Sequence, residues 1–177
     1  DHILGLKTNL KNGAAIENGR LILRNGGYAV TDNLPIEVAE KTLSAWLQLD
    51  NLSQRAGGVI TMQNTNGSVF DSIVFAEREP RKWMSGSNGF SRTTPFTSAP
   101  SENIADNQFV HITITYSPNG KITGYRNGKI YGKPYTTSLY KYQKNKSVLT
   151  FGVRHLPANP QRMLQGSISR ASVYDRA

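Results

Sequence analysis

The chain has 177 residues, no cysteine, and 21 basic against 12 acidic side chains, a net charge of +9. That length fits one domain able to bury its own core, and the missing thiols exclude disulfides, c-type haem attachment and thiolate metal sites from it. No apolar run nears the roughly 20 residues that span a bilayer, so direct membrane insertion is not expected. The basic balance favours an acidic partner: nucleic acid, anionic lipid, or a sulfated or carboxylated polysaccharide. Only residues 78–82 and 141–146 form local basic clusters, which read as solvated faces. Nucleic acid is not expected, since its binders show a denser basic stripe or a recognition helix.

Sixteen Gly and eight Pro punctuate short apolar runs, the composition of sandwiches and barrels. Residues 6–24 contain Ala14-Ala15-Ile16, an Asn18-Gly19 turn and Leu21-Ile22-Leu23, and Asn25-Gly26-Gly27 then turns into Tyr28-Ala29-Val30. These read as short edge-type strands. In residues 41–50, Leu43, Ala45, Leu47 and Leu49 share one face, with Thr42, Ser44, Trp46, Gln48 and Asp50 on the other. Trp46 either seals a small second core under a loop or lies open to a ligand, and burial is the expectation. Gly57-Gly58 leads into 59–62, and the 64–67 turn into a long strand over 70–79. There Asp71, Ile73, Phe75, Glu77 and Glu79 share one face, Ser72, Val74, Ala76 and Arg78 the other, and Pro80 ends the ladder. A strand restarts at 81–84, 86–89 turns it into Phe90-Ser91-Arg92, and the polar stretch 93–103 reads as a surface loop.

From 109 to 131 the pattern is a meander. Val110, Ile112, Ile114 and Tyr116 alternate with His111, Thr113 and Thr115, the period of a half-buried strand. Ser117-Pro118-Asn119-Gly120 turns the chain into 121–126, and Asn127-Gly128 turns it back into Lys129-Ile130-Tyr131. Asn-Gly accepts the positive backbone angles of a type I′ turn. A Tyr- and Lys-dense loop over 131–146, a strand with alternating Leu149, Phe151 and Val153, a loop over 155–162 and a last strand over 168–174 complete the chain. Ten or more short strands and nothing helical of length predict an all-β fold, a two-sheet antiparallel jelly-roll sandwich whose last strand pairs near the first.

Several of these pieces, in this order, resemble one family. Lys41-Thr42-Leu43-Ser44-Ala45-Trp46-Leu47 resembles the "SaW" strand of laminin-G-like, concanavalin A-like jelly-roll domains. Residues 109–116 followed by Tyr125-Arg126-Asn127-Gly128-Lys129 resemble that family's "hva.ty…YvNG" meander, with Phe109 where Trp is common. Leu149-Thr150-Phe151-Gly152 resembles its "l.iG" strand, and residues 164–177 its closing strand. Residues 70–80 with Trp83-Met84-Ser85-Gly86-Ser87 are similar to the version found in large exported planctomycete-type proteins that also carry a cytochrome-like segment, absent from these residues. The resemblance implies one noncatalytic domain over 1–177 of a larger, exported, bacterial multidomain protein, binding glycans or other domains of its parent chain. No cofactor is implied. Ser169-Arg170 stands where the family often has Asp-Glu, which removes a hard oxygen from a structural calcium site there. Asp32, Asp71 and Asp106 are what could build one elsewhere.

Catalytic arrangements are thin. A glycosidase of this superfamily carries Glu-x-Asp-x-Glu along a strand, with its acid and nucleophile about 5 to 5.5 Å apart. Here only Glu77 and Glu79 alternate, and Arg78 and Arg81 beside them disfavour the raised pKa a general acid needs. The three His residues are scattered, there is no Gly-x-Ser-x-Gly elbow, and no residue is assigned a catalytic or metal-ligating role. Binding is the expected activity, on a concave sheet. The candidates are Trp83, Arg78, Glu77, Arg92, Arg154, Tyr125 and His155, with Tyr135, Tyr140 and Tyr142 as an aromatic wall. Aromatic faces suit sugar rings, and arginine pairs bidentately with sulfate or carboxylate, so an anionic polysaccharide fits the set.

Overall fold

A computed structural model describes residues 4–104 and 108–177. Along the described residues the strands are β1 (Thr8–Lys11), β2 (Ala15–Glu17), β3 (Arg20–Leu23), β4 (Tyr28–Thr31), β5 (Lys41–Leu49), β6 (Gly57–Asn64) and β7 (Phe70–Phe75). They continue as β8 (Trp83–Ser87), β9 (Val110–Tyr116), β10 (Lys121–Arg126), β11 (Lys129–Ile130), β12 (Tyr135–Thr136), β13 (Ser147–Phe151) and β14 (Gly166–Tyr174). Among the described residues two short 3-10 turns, Asn88–Phe90 and Pro160–Arg162, interrupt them. Six strands form one antiparallel sheet in the order β1-β4-β13-β6-β7-β8. The other, eight-stranded sheet runs β11-β10-β9-β5-β14-β3-β2, with β12 also on β10. This is the predicted two-sheet sandwich.

Alternation sets the layers. β5 and β9 turn Leu43, Ala45, Leu47, Val110, Ile112 and Ile114 inward, onto Ile60, Ile73, Phe75 and Trp83 of the facing sheet. Asn127 and Gly128 adopt φ 50° and 77°, which is why the predicted type I′ hairpin closes β10 on β11. β3 and β4, expected at edges, are internal, and the edge strands beside them are β2 and β1. β1 carries no apolar alternation and was not anticipated as a strand. The last strand pairs with β3 and β5, while β1 lies in the opposite sheet.

Two expectations about the middle of the chain are corrected. β7 stops at Phe75, because Ala76 takes a left-handed φ of 54° and donates its amide to Lys82, closing a loop over 76–82. Glu77 and Glu79 therefore leave the strand. The 93–103 stretch is also no mere surface loop: Phe96, Ala99 and Glu102 are buried, and Phe96 packs at the end of the core against Tyr131 and Tyr135.

The outer faces differ. Along β6, β7 and β8 nearly every residue is buried, and residues 152–165 lie across the outside of β6 and the start of β7. Thr61 donates to the Arg154 carbonyl at 2.9 Å, and the Leu156 amide donates to Gln63 at 2.7 Å. Contact is close enough that a Cβ on Gly58 would stand 2.5 Å from the Val153 carbonyl oxygen. Among the described residues the eight-stranded sheet has no such cover over β5 and β9, whose outward residues alternate with buried ones. One sandwich thus has one closed and one open face.

Candidate functional site

The structure scatters the seven residues singled out by sequence. Trp83 points inward from β8 with 2% of its surface exposed, so it caps the core. Its indole Nε1 donates to Glu102 at 2.9 Å. Glu102, missed by sequence reasoning, also accepts from Arg126 Nε (2.9 Å) and Nη2 (2.6 Å) and from the amides of Asn103 and Ile104. Burial pushes this carboxyl up, but Arg126 and Trp83 outweigh it and hold the group below the usual carboxylate range.

Arg92 is bound to Asp71, its Nη2 and Nε lying 2.9 and 3.2 Å from Oδ1. Oδ2 of the same carboxylate takes Lys41 Nζ at 2.9 Å and the Tyr142 hydroxyl at 3.0 Å. Lys41 also donates to the Ala39 carbonyl at 3.1 Å and lies over the rings of Tyr116 and Tyr142. This ionic knot joins the two sheets from inside. Burial lowers the Lys41 pKa despite the opposing pull of Asp71. Both oxygens of Asp71 are therefore taken by cations. Asp32 is exposed, while Asp106 lies outside the described residues. Among the described residues no three His, Asp or Glu gather as metal ligands. Ser169, at the β14 bulge, donates to the Trp46 carbonyl at 3.3 Å.

Glu77, Arg154 and His155 do meet, on the closed face. Glu77 pairs with Arg154, and the imidazole of His155 stacks on Phe70 at 4.6 Å. Nδ1 of His155 donates to the Leu156 carbonyl at 3.1 Å, leaving Nε2 to accept from Arg154 and Arg162 at 3.4 Å. Burial, helped by those two arginines, lowers its pKa. Arg78 is exposed and lies over Phe90. Of the aromatic wall, Tyr142 is buried, Tyr135 donates to the Arg92 carbonyl at 3.2 Å, and Tyr140 packs edge-on against Tyr142. Tyr125 alone of the seven faces the open sheet.

On that open face stands Trp46. Burial was expected, but it is 41% exposed, because among the described residues no loop crosses β5 there. Its ring stacks on His111 with centroids 4.6 Å apart and 5° between planes. His111 Nε2 shares hydrogen bonds with the hydroxyls of Ser44 (2.8 Å) and Thr113 (3.3 Å), which lie 3.0 Å from each other. Strand register puts Arg170 of β14 opposite Trp46, and Ser172, Ser44, Thr113 and Tyr125 in one row across four strands. Further along, the exposed Arg20 lies over Phe109 at 4.7 Å. Partial burial, with the charge of Arg170, lowers the His111 pKa and keeps the imidazole neutral in the stack near pH 7. The arrangement offers a flat aromatic surface, a row of hydroxyls and two exposed guanidinium groups.

The model of the concanavalin A-like lectin/glucanases superfamily matches residues 23–177. The chain belongs to that superfamily. No curated protein sequence matches it. Domain 4 of AbnA, a GH43 extracellular arabinanase from Geobacillus stearothermophilus solved with arabinotriose, is similar to this superfamily member at 14% identity and a TM-score of 0.65, over 96% of this chain and 82% of that one. The Emp47p carbohydrate recognition domain is similar at 11% identity and a TM-score of 0.55, over 96% and 89%. A Trypanosoma rangeli sialidase is similar at 15% identity and a TM-score of 0.67, over 97% of this chain but only 27% of its own. At these identities the three establish the fold alone.

Proposed function

We propose that this domain is a noncatalytic carbohydrate-recognition module of an exported protein, holding an anionic polysaccharide against the open face of its eight-stranded sheet. The observation that carries the reading is Trp46, exposed, stacked on His111 and bordered by Arg170. A sugar ring presents a C–H face that packs on an aromatic plane, while its hydroxyls need planar or hydroxylic partners. Trp46 supplies the plane, and Ser44, Thr113 and Tyr125 the partners. Arg170 and Arg20 suit a carboxylate or sulfate on the sugar, consistent with the net charge of +9. The related AbnA domain, solved with arabinotriose, is one instance of this fold beside an oligosaccharide.

Binding without hydrolysis is supported by the carboxylates. Glu77 is paired with Arg154, and Glu79 with Lys82 at 2.5 Å, and neither faces Trp46. Ser44 and His111 are hydrogen-bonded, but among the described residues no carboxylate orients the imidazole as a general base requires. The proposed binding uses side chains alone, with no cofactor. Titration calorimetry against neutral, uronic-acid and sulfated polysaccharides tests the reading at low and high salt, with and without a chelator. Binding of the acidic glycans that weakens with salt, ignores the chelator and releases no sugar is expected. Absence of all binding, or release of reducing ends, contradicts it.

A further inference from the structure

The two sheets are not closed equally on all sides. β3 pairs with β14 only at Gly166, Ser167 and Ile168, and beyond Ile168 the 18–19 turn that joins β2 to β3 ends the ladder. From Arg170 to Tyr174, β14 is paired with β5 on one side only. Among the described residues its other side therefore presents backbone groups with no ladder partner. Beside this edge, between the β2-β3 hairpin and β1 of the facing sheet, lies a groove of about 330 Å³. Leu10, Ile16, Leu21, Phe151, Ile168 and Ala171 form its apolar lining, and Arg170 is its one charged residue. Leu10 and Ile16, on its two lips, are 40% and 62% exposed.

We infer that this notch takes one extended segment of another polypeptide, added antiparallel beside 170–174 in line with β3. Its apolar side chains at alternate positions lie in the groove, and a carboxylate stands opposite Arg170. Three features of the site select that occupant. An open strand edge is satisfied by a backbone with its own N–H and C=O groups at strand spacing, which a glycan lacks and a helix cannot present. Ala171 and Val173 pack toward the core while Arg170 and Ser172 lie on the outer face with Trp46 and Ser44. A strand added beside them must likewise place every second side chain over the apolar lining. The lone Arg170 calls for an acidic group on the outward positions. A second copy of this chain fits poorly, since two-fold antiparallel pairing along 170–174 sets Arg170 opposite Tyr174, with no carboxylate to face it, and joins two domains of net charge +9.

The test is a titration of the ¹⁵N-labelled domain with a capped peptide of about eight residues alternating valine with glutamate and threonine. Controls are the same peptide with alternate amides N-methylated and one with lysine for glutamate. Expected are shift changes confined to 170–174, Leu10 and Ile16, with a Kd on the order of 100 µM. Both controls bind at least about tenfold more weakly. Ile16→Glu, at an exposed position, lowers affinity by a similar factor and leaves glycan binding at the Trp46 face unchanged, while Arg170→Glu makes the lysine peptide the better ligand. Equal binding of the N-methylated peptide, no shifts at millimolar peptide, insensitivity to Ile16→Glu, or concentration-dependent dimerisation in sedimentation overturns the inference.

Discussion

Replacing Asp71 by asparagine removes the negative charge that Lys41 and Arg92 share, and the geometry sets the size of the loss. The carboxylate receives Lys41 at 2.9 Å, Arg92 at 2.9 and 3.2 Å and Tyr142 at 3.0 Å, with the Lys41 side chain fully buried and that of Arg92 11% exposed. Without it, Lys41 keeps only the Ala39 carbonyl and two tyrosine faces. Removing one partner of a buried pair costs about 3 to 5 kcal/mol, against a total of roughly 5 to 15 kcal/mol for a domain. Lys41→Met should cost less, by about 2 kcal/mol, because Asp71 then keeps Arg92 and Tyr142. The double variant should cost less than the sum by at least about 1 kcal/mol, since the two side chains touch. Urea unfolding with unchanged m-values reads all three differences. If Asp71→Asn shifts stability by less than about 1 kcal/mol, or the two changes simply add, the ionic knot does not hold the sheets together.

Two further outcomes follow from the packing and the histidines. Gly58→Ala puts a methyl 2.5 Å from the Val153 carbonyl, so the 152–165 cover must shift, at a cost of about 1 to 3 kcal/mol in thermal unfolding; an unchanged melting temperature contradicts the close contact. His111 and His155 both have folded pKa values below the ordinary 6.5, through burial and nearby arginines. As pH falls through the window beneath 6.5, the unfolded chain takes up protons first, so stability is lost there and levels off below the folded values. The double variant His111→Gln/His155→Gln should flatten that part of the urea-midpoint profile, and an unaltered slope there contradicts the assignment.

Much of the fold was legible because period-two alternation is local. β5, β9 and the Asn127-Gly128 hairpin follow from adjacent residues, and the structure places them as read. The end of β7 was not legible: Ala76 enters a left-handed conformation that its side chain does not announce, held by its bond to Lys82. The site was harder still. Sequence put Trp46 on the polar face of its strand, but whether a loop covers it depends on where residues 152–165 go, and they cross the other sheet. Trp83 and Arg92 looked like ligand contacts because a Trp and an Arg suit a sugar equally well. Their partners, Glu102 and Asp71, lie 19 and 21 residues away in sequence. The row joining Trp46 to His111 and Arg170 exists only once β9, β5 and β14 are in register.

The most direct measurement is the affinity of Trp46→Ala for the best acidic polysaccharide, by calorimetry beside a urea titration of the same protein. Trp46 is 41% exposed, so the fold should lose only about 0.5 to 1.5 kcal/mol with its stack on His111. Binding should fall about thirtyfold, for roughly 2 kcal/mol of lost contact with the sugar face. An intact Kd in a folded Trp46→Ala protein would contradict a binding surface on the open sheet.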